Sequence, residues 1–312
     1  MNSFSKNHIL LSYLMIPLGV IIVLTDHLFL NLWFQNSTPT DPHSLFIFNL
    51  IFSLPHVLAG NIQLLDNEYI KFHKMGLILC CLFSLIFPWS IISGLGIGVF
   101  ITMEYGISSF HAAGQQVGMA TLFSSFDKRF YSVWKWSTRI VIAITAIRAI
   151  QYKVFSAYFD GGLDYLIFAL LFISTVTGLM IYKSCEKKVG KIYILANLLM
   201  TYSIYSFQQL NYPFISILCL RLPHDVTAFL FYMNHSRIRN KNFDHNWLVR
   251  FFPLPNVMKG YFLPLLTIPL AFLLDRWEIF FLVNAFFSYL HYTSENFFWR
   301  GKGLALKSVH IT

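Results

Sequence analysis

Charge is scarce in this chain. Of its 312 residues only 12% are Asp, Glu, Lys or Arg, about half the share of an average globular protein. A soluble chain of this length would fold around about two cores and would need a charged surface over both. With 56% hydrophobic residues and so few charges, that architecture is excluded. Disorder is excluded by the same numbers, because disordered segments are poor in apolar residues. Cysteine is nearly missing too. Cys80, Cys81 and Cys219 lie in apolar runs and Cys185 lies in a lysine-rich segment, with no C-x-x-C or paired spacing. A thiolate metal site and a disulfide framework are therefore out. No internal repeat stands out, which counts against an inverted-repeat transporter. Aromatic residues, by contrast, are plentiful: 33 Phe, 16 Tyr and 7 Trp, 18% of the chain. This is the composition of an integral membrane protein, and the net charge of +9 then concerns orientation and lipid head groups rather than nucleic acid.

About ten stretches (eight at the least) are long and apolar enough to cross a bilayer as helices, each needing about 20 residues. They fall near 9–30, 44–65, 75–93, 96–123, 137–157, 163–182, 190–210, 213–234, 258–275 and 277–298. The first is read as a membrane anchor and not a signal peptide, because its apolar run is long and Asp26-His27 follows it without a small-residue cleavage site. Lysine and arginine test the count independently. With the N-terminus inside, 19 of the 23 fall on the cytoplasmic side; Lys153 and Arg276 fall outside, and Arg148 and Arg221 fall within spans. Lys135 and Arg139 are counted here among the charges of the cytoplasmic side. Such an alternation is what the positive-inside rule requires of ten spans with both termini cytoplasmic. The expected fold is all-α: one polytopic helix bundle over residues 1–312, with no soluble domain, in the cell's inner or plasma membrane. Its longest loop, 235–257, is cytoplasmic and basic.

Histidine is the informative residue, because an ionisable side chain inside a span is costly and usually faces the bundle interior for a purpose. His56, His111, His224 and His291 lie within spans two, four, eight and ten, which all run from outside to inside. Counted up from the inner ends of those spans, they sit about 11–18 Å deep at 1.5 Å per residue, close to one level. A single such imidazole is ordinarily a hydrogen-bonded core residue; four at one depth point to a shared ligand. His56 and His224 each follow a proline, in Leu54-Pro55-His56 and Leu222-Pro223-His224-Asp225, and proline withholds a backbone donor beside the site. Gln115 and Glu104 share the helical face of His111, and His291 is paired at i,i+4 with Glu295. Asp225 is expected to counter Arg221 one turn away. A second tier, His73, His235 and His245, lies toward the cytoplasmic ends; His235 is expected either to reach the upper level or to form an inner site with His73. His8, His27, His43 and His310 are interfacial.

Imidazole with carboxylate and no thiolate suits iron, zinc or copper, and two facing histidines also suit haem. Non-haem iron leads, because a nitrogen-rich metal at mid-membrane is shielded from water and open to lipophilic substrates entering from lipid. The expected ligands are His56, His111, His224, His291 and Glu295, with Asp225, Gln115, His73 and His235 as further candidates. Glu104 and Tyr292 are the expected catalytic side chains, Glu104 to orient an imidazole and Tyr292 to gate or donate a proton. A transporter or channel is the rival from another class, with Glu104, Asp225, Glu295, Arg148 and Arg221 along its path. A haem- or quinone-linked electron carrier is the third reading.

Four short motifs carry a resemblance. Leu54-Pro55-His56, Phe110-His111-Ala112-Ala113-Gly114, Leu222-Pro223-His224-Asp225 with Asn234-His235-Ser236-Arg237, and Leu290-His291 resemble the membrane-embedded Brp/Blh-type carotene dioxygenases. The resemblance implies a polytopic protein with a histidine-held non-haem iron that splits a carotenoid chain with O₂. In this chain Ala59-Gly60-Asn61 stands where that family places an acid after its first motif, and the last span ends on Glu295 and Trp299-Arg300.

Overall fold

The structure is a computed structural model that describes residues 6–38, 53–123, 125–151, 156–239, 266–270 and 280–298. Among the described residues the regular structure is helical and there is no strand. In chain order the helices are α1 (Lys6–Ser12), α2 (Met15–Phe29), α3 (Trp33–Ser37), α4 (Leu54–Gln63), α5 (Asn67–Leu95), α6 (Ile97–Phe123), α7 (Tyr131–Gln151), α8 (Ser156–Ser184), α9 (Lys188–Gln209), α10 (Pro213–Arg239) and α11 (Phe280–Phe298). Four stretches among the described residues are long and apolar enough to cross a membrane: Ile9–Phe29, Asn67–Leu95, Gly162–Ser184 and Pro213–Ser236. They differ in how much they hide. Only 17% of the apolar window in Asn67–Leu95 is buried, against 67% in Pro213–Ser236, so α5 presents its surface outward while α10 is a core helix.

Most of the expected spans at 9–30, 75–93, 96–123, 163–182, 190–210, 213–234 and 277–298 have a helix over them. The span near 258–275 lies outside the described residues apart from 266–270, as does the first part of 44–65. Boundaries differ where polar residues continue a helix that hydropathy alone would end. α5 starts at Asn67, because Asp66 caps it by accepting the Glu68 N–H at 2.9 Å. α5 ends where Gly96 takes a φ of +88°, a conformation that glycine adopts at little cost. α7 begins at Tyr131, six residues before the expected span at 137–157, so Lys135 is helical as well as Arg139.

The described residues of 46–100 and 225–312 pack as one compact unit, and those of 5–45 and 101–224 as another. In the first, α4, α11 and the later part of α10 run parallel. Ala59 packs with Ala228 and Tyr232, and Leu54 and Leu58 pack on Phe287. Asn61 Nδ2 donates to the Phe287 carbonyl at 2.8 Å. Leu64, Tyr69, Cys80 and Leu290 form a further apolar cluster where α5 joins α11.

In the second unit α6 and α7 run antiparallel, with Gly106 against Ile147 and Gly114 against Arg139. Gln116, fully buried, accepts the Tyr13 hydroxyl at 2.6 Å and the Tyr193 hydroxyl at 2.9 Å through Oε1. That ties α6 to α9 and to the break between α1 and α2. Asp26 secures the far end of α2. Its carboxylate accepts the N–H groups of Phe34 (2.8 Å) and Gln35 (2.9 Å) and the Tyr212 hydroxyl (2.8 Å). It thereby holds a turn in which Asn31 and Leu32 both have positive φ, a conformation that side-chain-bearing residues take only when neighbours enforce it.

Candidate metal centre

Within the first unit, α4 brings His56 to α10 and α11. Pro55 lies at the start of α4, where its missing N–H costs nothing. His56 follows, fully buried, with Nδ1 3.1 Å from Asp225 Oδ1, and Asp225 is buried as well. This corrects the expectation that Asp225 answers Arg221. The carboxylate is delivered to an imidazole on another helix, and Arg221 gives an N–H to Ser108 Oγ at 2.8 Å. A buried imidazole nitrogen and a buried carboxylate oxygen this close are a nitrogen and an oxygen donor presented at one point.

His291 completes the group from α11. Its ring centroid lies 5.2 Å from that of His56, edge to face at 79°. Its Nε2 lies 3.8 Å from Oε1 of Glu295, one turn on. Glu295 in turn accepts the hydroxyl of Tyr232 from α10. Room for this arrangement comes from Gly60: a Cβ built there would stand 2.4 Å from His291 Nδ1 and 3.1 Å from the Tyr232 hydroxyl oxygen. His56, Asp225, His291 and Glu295 are thus gathered as two imidazoles and two carboxylates, all buried. Nitrogen and oxygen donors without sulfur fit the borderline metals and not the thiophilic ones.

The second unit supplies another pair. His111 on α6 and His224 on α10 have ring centroids 5.5 Å apart and perpendicular. The Ser108–Arg221 hydrogen bond lies one turn earlier on the same two helices, so α6 and α10 run parallel and in register there. His56 stands opposite Asp225 in one unit and His111 opposite His224 in the other. His224 and Asp225 are consecutive residues of α10, so that helix contributes to both sets. Buried His, Asp and Glu groups of this kind can hold a metal ion.

The remaining predicted residues are dispersed. Tyr292 is buried with its ring 5.7 Å from that of His291. Glu104 and Gln115 are half-buried on α6, and it is the adjacent Gln116 that joins Tyr13 and Tyr193. His235 belongs to a separate buried network. Gln63 Nε2 donates to the Tyr232 carbonyl at 3.4 Å, which turns its Oε1 to accept from His235 Nδ1 at 2.8 Å, and the Tyr69 hydroxyl donates to His235 Nε2 at 2.6 Å. His73 packs its ring on Phe72 at a kink in α5. His245 lies outside the described residues. Sequence reasoning missed Tyr232 and Gly60. The available signal for Tyr232 was its position seven residues after Asp225, two turns on and on the same face.

No family model, curated protein or solved structure matches this chain.

Proposed function

We propose that this chain is a multi-pass membrane metalloenzyme, a non-haem iron oxygenase acting on a lipophilic substrate such as a carotenoid, an isoprenoid or an acyl lipid. The observation that carries the reading is the buried pairing of His56 Nδ1 with Asp225. In a membrane helix a buried carboxylate is expensive, and its place 3.1 Å from an imidazole nitrogen supplies an oxygen and a nitrogen donor side by side. His56, His111, His224 and His291 are the imidazole ligands, with Glu295 as the carboxylate donor. When bound, iron would supply the site for O₂ activation. The chain's own part is to set His56 Nδ1 and the Asp225 carboxylate side by side, to hold a proton between Tyr232 and Glu295, and to keep water from His56, His224 and His291 by burying them. The topology that goes with this reading is about ten spans in the inner or plasma membrane with both termini cytoplasmic.

Metal analysis of detergent-purified protein, read with its absorption spectrum, tests the proposal. About one iron per chain without a Soret band is the expected result. A Soret band replaces non-haem iron with haem. A chain that takes up no metal returns the cluster to the ion-pathway reading. Alanine at His56, His111, His224 or His291 should each abolish stoichiometric metal, and retention by any two of these variants defeats the shared site.

A further inference from the structure

We propose that Arg139 anchors the carboxylate of a long-chain acid, so that the substrate of the metal site proposed above is a lipophilic acid and not a neutral hydrocarbon. The inference rests on that reading for its link to catalysis, and on the geometry of the second unit for the binding itself. Arg139 lies in α7, eight residues after its start, which is about 12 Å along the helix. Long basic side chains near a helix end ordinarily run to the interface and keep their charge in water. This one is half-buried and held against α6. Its Nε donates to the Phe110 carbonyl at 3.1 Å. Its guanidinium carbon stands 3.7 Å from the centre of the Phe110 ring and 5.1 Å from that of Trp136. Beneath it lies Gly114, where a Cβ would meet Nε at 2.6 Å and Cζ at 2.8 Å. A carbonyl, a ring face and a bare stretch of backbone therefore fix the guanidinium plane.

The terminal nitrogens are left over. Among the described residues Nη1 and Nη2 of Arg139 make no hydrogen bond or ion pair. The surrounding α7 surface is apolar and open: Val133, Trp136 and Ile140 are exposed. A fixed cation with two forward N–H groups in an apolar surface is costly unless an anion meets it. The planar fork suits a carboxylate held by two parallel hydrogen bonds. The fork beside this apolar surface suits an acid with a hydrocarbon chain, its carboxylate on the guanidinium and its chain along Val133, Trp136 and Ile140. The fork also lies at the right turn. Phe110 and Gly114 bracket His111 on α6, so an acid held by Arg139 begins its hydrocarbon chain at the turn that carries a proposed ligand.

Equilibrium binding of radiolabelled palmitate to the full chain in detergent tests this, with methyl palmitate as the uncharged comparison and metal content measured on the same preparations. The expected result is one palmitate per chain, weakened about tenfold or more by Arg139→Gln and also by Gly114→Ala, with methyl palmitate bound no better by wild type than by Arg139→Gln. Gly114→Ala keeps the charge and displaces it, so it decides the matter if Arg139→Gln fails to fold. Equal affinity for the acid in wild type and both variants overturns the proposal, as does equal binding of acid and ester. A phospholipid that co-purifies with wild type and is lost from Arg139→Gln in native mass spectrometry also overturns it, by showing a phosphate as the ligand. Wild type without metal that still binds palmitate through Arg139 sinks the metalloenzyme reading and leaves the acid site standing.

Discussion

Gly60 and His291 touch backbone to ring: a Cβ on Gly60 would stand 2.4 Å from His291 Nδ1, well inside van der Waals contact. The side chain missing from α4 is therefore occupied by an imidazole of α11. Gly60→Ala should push that imidazole away, lowering metal content and destabilising the chain by about 1–3 kcal/mol, the usual cost of overpacking. Gly94→Ala is the comparison. Gly94 is in the last turn of α5 and a Cβ there meets nothing within 4 Å, so the same change should leave stability unchanged or raise it by less than about 0.5 kcal/mol, the lower bound for a glycine in mid-helix. Thermal unfolding with metal analysis on both variants checks the pair. Intact metal binding in Gly60→Ala would show that His291 does not have to stay where the structure puts it.

Asp225 should govern metal affinity without being one of the imidazole ligands. Its Oδ1 faces His56 Nδ1 at 3.1 Å, and loss of such an outer partner typically weakens metal binding about 10–100-fold. Asp225→Ala should fall in that range. Asp225→Asn, which keeps an oxygen at that position, should fall less. A chelator-competition titration gives both constants, and equal losses in the two variants would make Asp225 a direct ligand instead.

Tyr212 predicts a stability change at alkaline pH. Burial, and then its hydrogen bond to the Asp26 carboxylate, push its hydroxyl up to about 12. The folded state therefore holds the Tyr212 proton more tightly than the unfolded chain, whose tyrosine titrates near 10. The resulting stability is fully present below about pH 10 and is lost as pH rises toward 12. Tyr212→Phe removes a hydrogen bond to a charged group, a change worth roughly 1.5–3 kcal/mol. Unfolding midpoints at neutral pH and at pH 11.5 should drop in wild type more steeply than in Tyr212→Phe. Parallel slopes would assign the alkaline loss to other groups.

The helices were legible because apolar runs of bilayer length have few alternatives, and the histidines because ionisable side chains inside such runs are rare. Within one unit α4, α10 and α11 run parallel, and within the other α6 and α10 do. What a linear reading lacks is the neighbour supplied by another helix. Asp225 looked like the partner of Arg221 because the two are one turn apart, yet its carboxylate meets His56. Arg139 was counted only as a charge of the cytoplasmic side, yet α7 sets it against Phe110 of α6. Gly60 carried no signal at all, since a glycine records a close approach without saying to what.

Tyr232 is the residue that sequence passed over and the site depends on. It donates to Glu295 and lies with its ring 6.3 Å from that of His291. Its backbone is held independently, because its carbonyl accepts from Gln63, whose other end engages His235. Tyr232→Phe should therefore keep the helix in place and remove only the hydroxyl that restrains Glu295. With that restraint gone, the carboxylate is free to leave the His291 edge, and metal affinity should fall about tenfold or more, as for other outer-sphere partners. Gln63→Leu acts one link further back. It removes the amide that holds the Tyr232 carbonyl and His235 Nδ1, so a smaller loss in the same direction is expected, along with a lower unfolding midpoint. If Tyr232→Phe binds metal as tightly as wild type while Glu295→Gln does not, then Glu295 is a ligand that needs no holding, and the hydroxyl serves only to satisfy a buried carboxylate.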